Sequence, residues 1–242
     1  MVITSFNNNH IKDLIKLNDK KYRDKANLFL VDTLHLVKEA ISSKLAVEVI
    51  ICSGYDIDTD VKKTYVSEDV MKKLSSTKSN PKYMAVVKKK IDLDNYGDRL
   101  LILDNVQDPG NLGAIIRSAV AFNIDTIVLS DDTVDLYNPK VIRASQGMLF
   151  HINIIKRDIV CFIGELKKYK YAILGTDVNG GINIKDININ GKYAFVIGNE
   201  GNGIRDYVLD MCDKRIYIKM NNNCESLNAS VAASIIMYEL DN

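Results

Sequence analysis

The stretch RLLILDNVQDPGNLGAIIRSAVAFNIDTIVLS, residues 99–130, decides the fold class. RLLILDNV (99–106) begins as a continuous apolar run, the pattern of a strand buried on both faces. Pro109-Gly110 makes a turn at its end, and Asn111 is placed to cap the next helix. LGAIIRSAVAFN (112–123) then reads as that helix and DTIVLS (125–130) as the next strand. Three more strands follow in YKYAILGTDV (169–178), KYAFVIGN (192–199) and KRIYIKM (214–220), and the helical segment LNASVAASIIMYEL (227–240) comes last. Repeated strand–helix units imply an α/β domain with a parallel sheet and helices on both faces.

The first 90 residues alternate differently. NHIKDLIKLNDKKYRDK (9–25) has apolar residues at helical spacing, and LHLVKEAISSK (34–44) repeats the pattern. NLFLV, VEVIICS, KKTYVS and KYMAVVKK read as strands, with a short helix in SEDVMKKLSS. This predicts a small α/β domain over 1–92 and a larger one over 98–242. The charged, glycine-containing KKKIDLDNYGDR (88–99) joins them.

Composition limits the function classes. The chain has 242 residues and a formal net charge of +1, so no chain-wide basic field marks a nucleic-acid binder. The charge is uneven, however. Residues 1–97 hold 17 Lys and Arg against 13 Asp and Glu, and residues 98–242 hold 15 against 18. A polyanion would meet the front of the chain first. Cys52, Cys161, Cys212 and Cys224 show no C-x-x-C spacing and the three histidines are scattered, so neither a metal site nor a disulfide framework is expected. The polar start, MVITSFNNNHIKDL, is unlike a signal peptide, and no apolar run nears the roughly 18–20 residues of a membrane span. A cytoplasmic protein without membrane partners is the expectation.

The loop IGNEGNGI (197–204) poses the functional question. Its glycines run G-x-x-G-x-G, not the G-x-G-x-x-G of a dinucleotide loop, and they come late in the domain. Glu200 at its centre would oppose a phosphate. Hydroxyls, an amine or a cation suit it better, and S-adenosylmethionine, with a sulfonium and a ribose, meets that description. A tight turn that merely needs glycine would explain the loop equally well. Arg117 stands in a helix otherwise made of small and apolar residues, where it needs an anionic partner or a route to solvent. In CESLNASVAAS (224–234), Ser226 and Asn228 suit a helix start.

Taken together, Asn105, Asn111, Gly113 and Arg117, then IGNEGNGI, then SLNASVA (226–232) resemble the three ordered motifs of the SpoU (TrmH-like) branch of the SPOUT methyltransferases. PKVIRASQGMLFHI (139–152) is also similar to the family. KKYRDKANLFLVDTLHLVKEAI (20–41) resembles the small ribosomal-protein-like domain that binds substrate in many members. The chain departs from the usual pattern at Asp32-Thr33, where members have Glu-Gly, at Asn123, where Gly is common, and at Lys219, where many have Pro.

The resemblance implies methyl transfer from S-adenosylmethionine to a ribose 2′-OH of RNA. Ribosomal 23S RNA is the expected substrate and tRNA the alternative; a catalytically inactive RNA-binding protein is a third possibility. It implies a C-terminal trefoil knot and a homodimer. Arg117, Asn111, Glu200, Asn228 and Ser226 become the catalytic candidates. Thr176, Gly198, Asn199, Gly201, Ile218, Met220 and Leu227 become the cofactor contacts. An arginine is effectively never deprotonated, so Arg117 is better cast as a phosphate and oxyanion clamp than as a base. Asn111 would orient Arg117 or the ribose, and Glu200 would anchor Arg117 or accept from the loop. Lys20, Lys21, Tyr22 and Arg23 combine cations with a ring that can stack on a base, and Arg143 joins them as RNA-binding candidates.

Overall fold

The computed structural model describes residues 2–76, 80–93, 95–178 and 180–241. The chain forms two compact units, one of residues 1–91 with 135–150, the other of 92–134 with 151–242.

The first unit starts with β1 (Val2–Ile3), α1 (Asn9–Lys16), α2 (Lys20–Ala26), β2 (Leu28–Asp32) and α3 (Leu34–Ser42). β3 (Ala46–Cys52), β4 (Lys63–Val66), α4 (Glu68–Leu74) and β5 (Tyr83–Lys88) follow. The strands lie in the order β1-β4-β3-β5-β2, with β5 antiparallel to both its neighbours. Ile11 and Leu14 of α1 and Val70, Met71 and Leu74 of α4 pack on Ile50, Val66, Met84 and Val86.

The single helix expected over 9–25 is two. Asp19 leaves the helix and caps α2 by accepting from the Lys21 N–H. The break frees the carbonyls of Leu17 and Asn18, and the Arg23 guanidinium takes both, at 3.0 and 2.9 Å. Apolar periodicity alone runs straight through such a break.

The second unit opens with β6 (Arg99–Leu103), α5 (Pro109–Ala121) and β7 (Thr126–Leu129). The chain contributes α6 (Pro139–Ala144) to the first unit and returns with β8 (Asn153–Lys156), α7 (Ile159–Lys168) and β9 (Ala172–Thr176). β10 (Ile182–Asn183), β11 (Tyr193–Ile197), α8 (Asp206–Leu209), β12 (Lys214–Tyr217) and α9 (Ala229–Asp241) complete it. Among the described residues these strands make a seven-stranded sheet, β10-β12-β9-β11-β6-β7-β8, parallel throughout.

Leu100, Leu101, Ile102 and Leu103 are all fully buried, as the unbroken apolar run requires of a strand covered on both faces. Leu100, Ile102, Ala194 and Val196 pack against Ile159, Phe162, Ile163 and Leu166 of α7 and Val208 of α8. α5 and α9 pack together, the hydroxyls of Ser118 and Ser234 meeting at 2.8 Å and the rings of Phe122 and Tyr238 lying edge to face at 5.8 Å. The turn chemistry at the start of α5 differs from expectation. Asp108 caps the helix, accepting from the Asn111 N–H at 2.8 Å, with Pro109 in the first turn. Asn111 therefore lies inside the helix and its side chain is available for other work.

Candidate functional site

In a parallel sheet the carboxyl ends of the strands are where ligands gather. Here the ends of β6, β9, β11 and β12 meet the loop 198–204 and the start of α9. The loop is built by one side chain. Asn199 exchanges backbone hydrogen bonds with Gly203 at 2.9 and 3.0 Å, and its Oδ1 accepts from the N–H groups of Gly201 and Asn202. Its Nδ2 donates to the Asn105 carbonyl at 2.9 Å. Gly198 is required by contact, since a methyl group there would overlap the backbone of Gly203 and Ile204. Gly203 is required by conformation, at φ +70°.

The loop's carboxylate does not face a phosphate; it stands where one would bind. Glu200 accepts from the N–H groups of Gln107 (3.2 Å) and Asp108 (3.1 Å), at the N-terminus of α5, and from Asn111 Nδ2 (2.9 Å). Partial burial pushes the Glu200 carboxyl up, but the bonds from Asn111 and from the Asp108 and Gln107 backbone outweigh it and hold it below the ordinary carboxylate value. Asn111 Oδ1 in turn accepts from Asn228 Nδ2 at 2.9 Å. Asn228 caps α9, its Oδ1 accepting from the Ser230 and Val231 N–H groups. The three motif stretches are thus joined by a continuous chain of amides and a carboxylate.

Beside that chain lies a cavity of about 500 Å³, within the usual range for a small-molecule site. All seven residues expected to contact a cofactor line it: Thr176, Gly198, Asn199, Gly201, Ile218, Met220 and Leu227. Glu200 and Ser226 line it too. Ile197, Ile204, Leu209, Ile216 and Ile236 supply apolar wall, and the Thr176 hydroxyl is spent on the Val196 carbonyl at 3.0 Å. Among its charged residues are three carboxylates, Asp177, Glu200 and Asp206, and one guanidinium, Arg215. Asp177 is paired with Arg215 at 3.1 Å and Glu200 is bonded to α5, so the wall keeps a negative balance that suits a cationic ligand with a flat apolar part better than a pyrophosphate. An adenosyl sulfonium fits it.

The chain is also similar to known proteins over most of its length. Residues 98–238 match the family model described as the SpoU rRNA methylase family. The chain belongs to the SpoU rRNA methylase family. Residues 8–85 match an MRM3-like substrate binding domain. Among relatives, the 23S rRNA (guanosine(2553)-2'-O)-methyltransferase RlmP of Bacillus subtilis is 35% identical over 98% of both chains. A solved RNA 2′-O ribose methyltransferase shares 28% identity and superposes with a TM-score of 0.85, covering 99% of this chain and 97% of its own. The SpoU methyltransferase AviRb from Streptomyces viridochromogenes, solved in complex with AdoMet, is 24% identical and shares the fold, with a TM-score of 0.87 over 97% of each chain.

Against the family's motif residues, Arg117 stands apart. It is exposed, lines no part of the cavity, and has no hydrogen-bond or ion-pair partner among the described residues. It lies six residues beyond Asn111, about 9 Å along the helix and roughly 120° round it. Glu200 therefore anchors the start of α5 and Asn111; it does not hold Arg117, and Asn111 is spoken for by Glu200 and Asn228.

In the first unit, Lys20 and Lys21 are exposed, Lys20 pairing with Asp24 at 2.9 Å, and Tyr22 is exposed. Arg23 is 5% exposed and bonded to Asp135 at 2.6 Å besides the Leu17 and Asn18 carbonyls. A guanidinium so committed packs the unit and is removed from the RNA-binding candidates. Arg143 is partly exposed and reaches Asp32 at 3.4 Å and Ser76 at 3.3 Å.

Sequence reading misses two groups of site residues. Asp108 is legible as an acid directly before Pro-Gly. Asp104 and Arg205 are not: the aspartate is fully buried at the end of β6 and its partner lies 101 residues on. Among the described residues no cluster of three His, Cys, Asp or Glu side chains is placed to hold a metal, and no helix is long and apolar enough to cross a membrane.

Proposed function

We propose that this chain is an RNA 2′-O-ribose methyltransferase that uses S-adenosylmethionine and acts on 23S rRNA. The observation that carries the reading is the Glu200–Asn111–Asn228 chain, which ties three motif stretches to the wall of a cavity suited to an adenosyl sulfonium. The full-length likeness to a 23S rRNA methyltransferase supports the substrate.

When bound, S-adenosylmethionine supplies an electrophilic methyl carbon on a cationic sulfur. The protein's residues do the rest. Backbone groups of Gly198, Ile218 and Leu227 and the apolar wall hold the adenosyl part. Glu200 fixes the loop on α5, and Asn228 fixes the end of the 218–228 segment on Asn111. Ser226 closes the cavity rim. Arg117, exposed and permanently cationic, is free to grip the phosphate next to the target ribose in a bidentate fork and to steady charge developing on its oxygen. Lys20, Lys21, Tyr22 and Arg143 contact RNA from the first unit, which takes in 135–150 besides the expected 1–92, and the rest of 98–242 carries the chemistry. The reading extends to a cytoplasmic homodimer and to a C-terminal trefoil knot. The close approach of α9 to α5 at Ser118 and Ser234 supports the knot, because a threaded helix must pass near other backbone.

The test is transfer of label from radioactive S-adenosylmethionine to unmodified 23S rRNA and, separately, to unmodified tRNA, with the 2′-O-methyl positions mapped. Label in 23S rRNA supports the reading and names the nucleotide. Label only in tRNA overturns the substrate. No label in either, with the cofactor bound, points to a binding protein.

A further inference from the structure

Arg205 follows the glycine loop directly and does not itself line the cavity. Its guanidinium bonds to Asp104, which is fully buried, and reaches Asp132 Oδ2 at 3.1 Å. Its backbone N–H donates to the other Asp104 oxygen at 3.1 Å. Tyr207 lies beneath, its ring centre 5.3 Å from the guanidinium carbon. Asp104 is itself tied to the loop's other end, since its N–H donates to the Ile197 carbonyl at 2.9 Å. One residue at the tip of a central strand thus holds the entry of residues 198–204 through its backbone N–H and their exit through its buried carboxylate.

We propose that Arg205 and Asp104 are a positioning pair that sets the shape of the cofactor cavity. The steric path is short. Gly198 has no room between it and the Gly203–Ile204 backbone, so any drift at residue 205 moves Ile204 and Gly203 and displaces Gly198 with them. Ile197, Gly198, Gly203 and Ile204 all line the cavity. The Glu200 contacts hold the middle of the loop on α5, and the Arg205 pair holds its exit on β6. Two anchors on two elements are needed to fix a loop's tilt as well as its height.

This inference rests on the reading of the cavity as an S-adenosylmethionine site, and the experiment separates the two. S-adenosylmethionine affinity is measured by calorimetry, with thermal unfolding in parallel, on the full-length wild type, Arg205→Lys, Arg205→Met and the double variant D104N/R205M. Arg205→Met alone strands a buried carboxylate and is expected to unfold at lower temperature. The double variant removes both charges and restores much of that stability. Even so, it binds the cofactor about tenfold more weakly, the effect of losing a charge-assisted hydrogen bond, while Arg205→Lys recovers part of the affinity. A double variant that binds within twofold of wild type shows the pair to be a stability element only and overturns the proposal. A wild type that binds no S-adenosylmethionine overturns the cavity reading and this proposal with it.

Discussion

Glu200 and Asn111, 89 residues apart in the chain, are joined by a 2.9 Å hydrogen bond that fills the anion site at the start of α5 with the protein's own carboxylate. The N–H groups that a phosphate would need at this helix start are thereby taken by Glu200. Glu200→Gln tests it. The amide keeps the shape but turns one acceptor into a donor facing the N–H groups of Gln107 or Asp108. A stranded polar group costs about 1–3 kcal/mol, so S-adenosylmethionine affinity should fall roughly tenfold or more by calorimetry while the secondary structure persists by circular dichroism. Unchanged affinity would show that the loop holds its form without the carboxylate.

The same bond sets a pH dependence. The folded-state pKa of Glu200 is depressed, so its contribution is present above the unfolded value, ordinarily about 4.3, and is lost as pH falls through the folded value. Cofactor affinity should therefore be flat with respect to this group from pH 7 down to about 5, and weaken only in more acid solution. A titration of affinity against pH for wild type and Glu200→Gln checks this, because the variant lacks the acid limb.

The parts of the fold and site that are legible in the sequence are so for two reasons. A strand buried on both faces must be apolar at every position, so β6 and β11 announce themselves. Gly198, Asn199, Gly201 and Leu227 are legible because they stand in ordered motifs, while Thr176, Ile218 and Met220 follow only from the resemblance to the family. Neither signal reaches the break between α1 and α2, which depends on Arg23 capturing carbonyls six and five residues behind it. β8 and α7 also lie outside the expected elements. Only a short apolar run marks HINIIK, and in α7 Ile159, Phe162, Ile163 and Leu166 keep helical spacing, with Asp158 capping by accepting from the Cys161 N–H. That helix is readable by the rules that mark the others.

Thr33 is a departure from the family whose effect can be measured. It sits at φ +85°, a conformation that a β-branched residue adopts only under strain and that glycine adopts freely. Its hydroxyl does cap α3 by accepting from the Leu36 N–H, at a long 3.4 Å. Glycine at a cap costs only a few tenths of a kcal/mol. Thr33→Gly should therefore stabilise by about 1 kcal/mol, or about 2–4 °C in Tm for a chain of this size. Thermal unfolding decides it, and a lower Tm would mean the cap outweighs the strain. Asn123, also in place of a common glycine, sits at φ +56°, which asparagine tolerates.

Arg23 and its neighbours separate packing from RNA contact. Arg23→Ala removes the partner of Asp135 and leaves the Leu17 and Asn18 carbonyls unpaired, a loss of about 3 kcal/mol on the scale of broken buried ion pairs. The double variant K20A/K21A touches only exposed side chains and should cost less than about 0.5 kcal/mol. It should instead weaken RNA binding and flatten its salt dependence. Filter binding of rRNA at several salt concentrations, alongside unfolding curves, distinguishes the two. A K20A/K21A variant with unchanged salt dependence would remove α2 from the RNA surface.

Arg117 should divide binding from chemistry. It lines no part of the cavity and contacts none of the Glu200–Asn111–Asn228 chain, so Arg117→Ala should bind S-adenosylmethionine within about twofold of wild type. Methyl transfer at saturating cofactor should nevertheless drop about 100-fold or more, the scale on which loss of one preorganised donor to a developing oxyanion is felt. Arg117→Lys keeps the charge but loses the fork, and should recover only a small part. Stopped assays of label transfer under saturating cofactor, with calorimetry on the same preparations, make the comparison. Arg117→Ala with weak cofactor binding and a normal maximal rate would move the residue from the RNA side of the reaction to the cofactor side; with normal binding and a normal rate, it would remove Arg117 from the mechanism.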